Sequence, residues 1–230
     1  MLLRNATAIM TGLPGEKARA VGRDLRIDAN GRIAAIGTLA PQPGERVLDA
    51  TDCVVYPGWI NTHHHLAQSV LKGVPAGINL PLLGWLDAVP YRYRHRFDAE
   101  LLSIAAEVGL TELMLSGCTT VADHHYVYWP GMGYDPAQVY FDLAARLGIR
   151  FVLCRGGATV QRAFEANDPN ALKPETLDAV VADVERLVGA YHHPGPEAMR
   201  RIVLAPATPT WSVRPEELKP MVRAARQNAT

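Results

Sequence analysis

Three consecutive histidines, His63, His64 and His65, end a short apolar segment that begins at Trp59. On a β-strand alternate side chains share a face, so His63 and His65 would point one way and His64 the other. Two convergent imidazoles suit a divalent cation as part of a three- or four-ligand set that leaves a position open for water. A histidine run can also be a solvated loop, but its place at a strand end favours the metal site.

Other ionisable residues are weaker candidates. A second strand is predicted to end in a group that could support the metal ligands, line a pocket or simply pack: Asp123, His124 and His125. His192 and His193 follow a predicted helix, which favours a surface position at the helix end. His95 lies in the arginine-rich stretch 92–96, which we interpret as solvated.

The chain after Pro57 alternates short apolar strands with helical patterns, which is typical of parallel βαβ units. Helices are predicted from Asp98, from Asp135 with Pro136 at its first position, from Pro174 and from about Ser212. The strands are predicted at 59–63, 119–123, 150–154 and 201–205. Four βα units could form an open doubly wound sheet or half of an eight-stranded barrel.

The first strand is followed by neither G-x-G-x-x-G nor a P-loop, which favours the barrel. In a barrel, His63 and His65 would lie at the carboxyl-terminal mouth, where active sites are found. Residues before Pro57 read as β structure, with a hairpin predicted at Asn30-Gly31 through a two-residue type I′ turn, since both residues tolerate positive φ. We therefore predict a small sheet region at 1–57 and an α/β domain at 58–230.

Composition excludes some classes of function. The 230 residues are 48% hydrophobic, enough for a substantial core, and 23 basic residues balance 23 acidic ones. This balance provides no basic footprint for nucleic acid or an anionic membrane. No apolar run approaches the ~18 residues of a membrane span. We expect a cytoplasmic protein whose three widely spaced cysteines are free thiols.

The segment 57–68, PGWINTHHHLAQ, resembles the metal-binding signature of the amidohydrolase superfamily. Segments 61–74, 83–86 and 115–124 are most similar to the branch that deaminates 8-oxoguanine and isoxanthopterin. The resemblance covers essentially the whole chain. It implies an α/β fold, a (β/α)8 TIM-type barrel with its first four βα units present and a small N-terminal β-sandwich portion. The chain would thus be the N-terminal half of such a protein.

The resemblance also implies site residues. His63 and His65 would bind one divalent metal ion, zinc or alternatively iron. The remaining ligands and the catalytic proton-transfer residues are expected beyond residue 230. Gln68 could bind a lactam edge, Trp85 could cover the ring and Arg155 could bind a ring oxygen. Their alternatives are a surface polar residue for Gln68, packing for Trp85 and a salt bridge for Arg155.

The function implied is hydrolytic deamination of an aminated heterocycle, an oxidised purine or pterin, by metal-activated hydroxide. One alternative is a chlorohydrolase or other C–N hydrolase acting on triazine or pyrimidine-like rings. Another is a non-enzymatic, barrel-derived scaffold. The expected partner is a small heterocyclic substrate, and a half-barrel with open sheet edges should form a homo-oligomer.

Overall fold

The computed structural model describes residues 1–230. The chain divides into two compact units, Met1–Gly58 and Trp59–Thr230. None of the helices combines the length and hydropathy needed to span a bilayer.

The first unit contains two small sheets. The larger has the strand order β4-β3-β1-β5, with β1 antiparallel to β3 and parallel to β5, and the smaller is the parallel pair β2-β6. A small apolar core includes Ile9 and Leu25. The strands are β1 (Leu2–Arg4), β2 (Ala8–Ile9), β3 (Asp24–Ile27), β4 (Ile33–Gly37), β5 (Val47–Asp49) and β6 (Val54–Val55).

The predicted hairpin forms between β3 and β4, but its turn differs from the expected two-residue type. The Asp28 carboxylate accepts hydrogen bonds from the backbone N–H groups of Asn30 and Arg32, both at 2.9 Å. Only Gly31 of the Asn-Gly pair has a positive φ, +77°. The aspartate side chain therefore organises a longer loop, and the type I′ turn was the wrong prediction.

The second unit is built on a parallel sheet with the order β10-β9-β8-β7, so strands that follow one another in the chain are neighbours in space. Helices lie between them in sequence, which brings all four carboxyl ends to one edge. The strands are β7 (Trp59–His64), β8 (Cys118–His125), β9 (Arg150–Arg155) and β10 (Arg200–Leu204); the helices are α1 (Leu82–Leu86), α2 (Ala99–Leu115), α3 (Pro136–Leu147), α4 (Leu177–Tyr191) and α5 (Pro215–Gln227).

Side-chain caps set where the helices begin. The carboxylate of Asp98 accepts from Leu101 N–H before α2, and that of Asp135 accepts from Ala137 N–H before α3. The α4 helix begins later than Pro174 predicts, because Thr176 is its cap. The α5 helix begins at Pro215 and contains Pro220 in its interior.

The segment from β7 to α2 consists mainly of short helical turns. The 3-10 turns are Leu66–Leu71, Pro75–Gly77 and Arg94–Arg96, and a π-helical turn spans Asp87–Tyr91. This long excursion starts directly after the histidine run, at the carboxyl end of β7. It is therefore placed to form one wall of a site there.

The core of the second unit lies between the sheet and its helices. It includes apolar residues of α2, β8 and β9, among them Leu102, Leu110, Val121, Phe151 and Leu153. Along β8 the helix-covered face carries Val121, Asp123 and His125, all at most 2% exposed. The intervening residues, Ala122 and His124, occupy the other face and are only partly buried.

Candidate metal and substrate site

The side chains of His63 and His65 converge at the end of β7. Their Nε2 atoms are 3.3 Å apart and their ring planes are nearly perpendicular, at 88°. Two nitrogens bound tetrahedrally to zinc at about 2.0–2.1 Å would lie about 3.3–3.4 Å from each other. His64 is turned aside, with Nδ1 3.4 Å from the Asn61 amide nitrogen. The pair thus has the separation of two ligands of one cation.

The strand end of β8 fixes the tautomer of His65. Its Nδ1 lies 2.7 Å from the carbonyl oxygen of His124, and only a protonated Nδ1 can donate to a carbonyl. The lone pair of neutral His65 is therefore on Nε2, which faces His63. Burial lowers the pKa of His65 from its usual value, which favours the neutral form that a metal requires. The His124 ring stacks on His63 with centroids 4.2 Å apart.

Asp123 supports the same segment from the helix-covered side of β8. Its carboxylate Oδ1 accepts from the backbone N–H of Leu66 at 2.5 Å, directly after His65. Burial raises the pKa of Asp123 to about 7. His125 lies on the same face, where its Nδ1 is 2.8 Å from the Tyr140 hydroxyl, and burial lowers its pKa to about 3. Asp123 and the His124 carbonyl thus support the ligand segment, whereas His125 packs away from the pocket.

A cavity of about 620 Å³ adjoins the imidazoles, and its lining includes all three histidines, His63, His64 and His65, together with Gln68 and Trp85. Gly77 lies against the indole of Trp85, since a Cβ there would be 2.9 Å from Trp85 Cδ1. The structure therefore brings two of the three predicted substrate residues, Gln68 and Trp85, into the same pocket as the candidate ligands.

Arg155, the third predicted substrate residue, lies elsewhere. Its guanidinium donates to both carboxylate oxygens of Glu175, at 2.7 and 2.9 Å, and to Asp183 at 2.9 Å. It lies 4.0 Å from the centroid of the Tyr128 ring, and the residue is 1% exposed. The structure does not bring Arg155 into the pocket of His63, and its contacts favour the salt-bridge alternative.

Sequence reasoning missed residues behind the pocket. The stretch 92–96 was predicted to be solvated, which is wrong for Arg94, since it is 5% exposed and forms an ion pair with Glu165. Tyr126, just after β8, also went unrecognised although its hydroxyl accepts from Gln68 Nε2 at 2.9 Å. The aromatic-basic alternation from Tyr91 was the available signal for Arg94, but no local pattern identifies a partner 71 positions away.

Within residues 1–230, no group of three histidine, cysteine, aspartate or glutamate side chains is arranged to hold a metal ion. The geometry that suits zinc is therefore that of two ligands, His63 and His65. A catalytic cation needs at least one more protein ligand than His63 and His65 supply.

Known proteins resemble the chain throughout. An isoxanthopterin deaminase from an unknown prokaryotic organism is 55% identical over 98% of this chain and 47% of its own length. An 8-oxoguanine deaminase of Pseudomonas aeruginosa is 34% identical over 98% of this chain and 49% of its own. The chain thus spans about half the length of these relatives.

Solved structures agree. An amidohydrolase from a Sargasso Sea environmental sample superposes with a TM-score of 0.86 at 51% identity, over 99% of this chain and 50% of the other. Atrazine chlorohydrolase of Arthrobacter aurescens, complexed with zinc, gives 0.83 at 28% identity over 98% and 50%. These similarities support an α/β fold of the TIM-barrel type. The amidohydrolase family profile matches residues 54–230, and the chain therefore belongs to the amidohydrolase family.

Proposed function

We propose that this chain is part of a metal-dependent aminohydrolase that removes the amino group of an oxidised purine or pterin. The observation that carries the proposal is the Nε2 pair of His63 and His65, 3.3 Å apart at the carboxyl end of a parallel strand. One divalent cation, with zinc favoured over iron, would be held there. The similarity to deaminases of isoxanthopterin and 8-oxoguanine supports the substrate class.

A bound divalent cation acidifies water and so provides a nucleophile at neutral pH. The residues of this chain would prepare that chemistry. The carbonyl of His124 keeps Nδ1 of His65 protonated, which leaves Nε2 as the metal-facing atom. The carboxylate of Asp123 holds the following amide of Leu66, which restricts the backbone that carries the ligand. The remaining metal ligands and the proton-transfer groups would come from outside residues 1–230.

The pocket next to the imidazoles would hold the heterocycle. The amide of Gln68 carries both a donor and an acceptor, which matches the N–H and C=O groups of a lactam edge. The indole of Trp85 offers an apolar face to the ring. A cavity of about 620 Å³ lies within the range of small-molecule sites.

A triazine substrate is the second candidate. It is favoured by a hydroxydechloroatrazine ethylaminohydrolase of Pseudomonas, 35% identical over 86% of this chain and 43% of its own length, and by the fold similarity to atrazine chlorohydrolase. A single cation held by the histidine pair at the end of β7 would suit both substrates, because the water that it activates could attack a ring carbon that carries either leaving group. A triazine without a lactam N–H would use Gln68 differently.

Metal binding is the first test. Zinc titration of the purified protein, followed by competition with a chromogenic chelator, should give a defined site in the wild type. His63→Ala and His65→Ala should each weaken that site by more than the roughly 10–100-fold seen for losses outside the ligand shell. His193→Ala is the matched control, since this exposed histidine lies near Arg200 and far from β7 in sequence. Equal zinc affinity in all four proteins would refute the assignment.

Ammonia release is the second test. A zinc-loaded protein that carries residues 1–230 together with the remaining metal ligands and proton-transfer groups would be incubated with isoxanthopterin, 8-oxoguanine and an aminated triazine, with His65→Ala as the blank. Release from the first two compounds alone supports the purine or pterin assignment, and release from the triazine alone supports the alternative. Zinc binding without ammonia from any compound would overturn deamination and leave a binding scaffold.

A further inference from the structure

Tyr126 joins the two parts of the candidate site. It directly follows β8, and its hydroxyl oxygen accepts a hydrogen bond from Gln68 Nε2 at 2.9 Å. The Tyr126 ring also forms a T-shaped contact with the imidazole of His65, with centroids 5.3 Å apart and planes at 84°. One side chain therefore contacts both the amide of Gln68, which is the candidate substrate-binding group, and His65, which is a candidate metal ligand.

The Tyr126 ring is itself held from behind. Tyr91 stacks on it, with centroids 5.6 Å apart and planes at 30°. The guanidinium carbons of Arg94 and Arg162 lie 4.7 and 4.5 Å from the centroid of Tyr91. Glu165 forms ion pairs with both arginines, and all three charged side chains are at most 6% exposed. Buried, mutually paired charges leave the Tyr91 ring little freedom to move.

We propose that Tyr126 is a positioning residue that fixes the side-chain amide of Gln68 for the heterocycle. The inference rests on the proposed function, since it takes Gln68 as the residue that contacts the ring. A free glutamine side chain loses up to about 2 kcal/mol of rotamer entropy when it is ordered. The hydrogen bond to Tyr126 orders Gln68 before the ligand arrives, so less of that loss falls on binding.

His65 does not depend on the hydroxyl of Tyr126, because its Nδ1 is held by the carbonyl of His124. Loss of the hydroxyl should consequently weaken binding of the heterocycle and leave binding of the metal unchanged.

Tyr126→Phe is the decisive variant, because it keeps the ring stacked on Tyr91 and removes only the oxygen. Tyr128→Phe is its matched control. Tyr128 lies two residues further on, its hydroxyl is buried and has no hydrogen-bond partner, and its ring packs on Arg155. Both variants keep their aromatic contacts, so both should fold.

The first measurement needs no ligand. In ¹⁵N NMR spectra, the side-chain amide pair of Gln68 is identified by its absence from Gln68→Ala. We expect that pair to shift and sharpen in Tyr126→Phe and to stay in place in Tyr128→Phe. A Gln68 signal that is unchanged in Tyr126→Phe would overturn the proposal.

The second measurement is the affinity for isoxanthopterin, followed by its fluorescence, alongside zinc affinity. We expect Tyr126→Phe to weaken isoxanthopterin binding about five-fold, the ratio supplied by an ordinary neutral hydrogen bond, with zinc affinity unchanged. In the Gln68→Ala background the same substitution should have no further effect. A five-fold loss that persists without Gln68, or equal losses in both tyrosine variants, would refute positioning through the amide.

Binding is separable from turnover. If the wild type binds isoxanthopterin and releases no ammonia, the proposed deamination is refuted. The isoxanthopterin affinities of the variants then still test the role of Tyr126. If the wild type does not bind isoxanthopterin at all, the positioning role of Tyr126 is refuted, because Gln68 then does not contact this heterocycle. In a protein that turns over, KM should rise about five-fold in Tyr126→Phe while kcat changes less.

Discussion

Replacing Arg155 by methionine tests whether this buried guanidinium serves structure or substrate. Methionine keeps most of the volume and removes the charge. The side chain of Arg155 is 2% exposed. It forms two hydrogen bonds with the Glu175 carboxylate and one with that of Asp183. Glu175 is 9% exposed on its side chain, so its charge would be left largely without solvent.

The magnitude follows from that burial. Removing one partner of a buried ion pair costs about 3–5 kcal/mol, because the other charge remains desolvated. Asp183 adds little to this cost, since it is 21% exposed and also pairs with Arg186. We therefore expect a loss near the lower limit, about 3 kcal/mol. With a urea slope of about 2 kcal/mol per molar, the unfolding midpoint should fall by about 1.5 M.

Tryptophan fluorescence during urea unfolding is the assay. All four tryptophans, at positions 59, 85, 129 and 211, lie in the second unit, so the signal reports the unit that contains Arg155. Adding Glu175→Gln to Arg155→Met should recover part of the lost stability, because the stranded charge is removed. A midpoint within about 0.3 M of wild type, together with loss of heterocycle binding, would refute the structural assignment and favour the substrate role.

Three other outcomes follow from the packing. Gly109→Ala should lower the free energy of unfolding by about 1–3 kcal/mol, because the added Cβ would overlap Ser69 Oγ. Ser69 follows the metal-ligand segment closely, so zinc binding should weaken as well. Gly189→Ala is the control, since its Cβ would have nothing within 4 Å, and it should leave zinc binding unchanged. The folded state lowers the pKa of His125 to about 3 from 6.5, so its contribution is intact above pH 6.5 and is lost as pH falls toward 3; urea midpoints in acid should fall less in His125→Gln. Ellman's reagent should react at once with the exposed Cys53 and reach the two buried thiols only in urea; three fast thiols would contradict the fold.

The order of helices and strands in the second unit was predictable, because helix caps and strand periodicity depend on residues close together in the sequence. Asp98 and the Asp135-Pro136 pair begin their helices as predicted, and Gly148 ends α3 with a φ of +74°. Period-two geometry also predicted that His63 and His65 share a face, which the Nε2 separation bears out. Each of these features depends on residues a few positions apart.

The contacts around the pocket were harder to predict because they join distant segments. The carbonyl of His124 reaches His65 across 59 positions, and Glu165 neutralises Arg94 across 71. The neighbouring arginines in the sequence predict that Arg94 is exposed to solvent. Only the folded chain brings the carboxylate of Glu165 to it. Homo-oligomerisation and a cytoplasmic location stay predictions, as do the substrate roles of Gln68 and Trp85.

The alternation along β8 limits how this protein can vary in evolution. Deleting or inserting one residue just after Gly117 would exchange the two faces of the strand. The carboxylate of Asp123 would then leave the buried, helix-covered face, and the imidazole of His124 would enter the apolar layer under the helices. Substitutions here change one contact each, whereas a change of length would disturb the metal ligands and the core together. The spacing from Gly117 to Tyr126 should accordingly be more invariant than its residues.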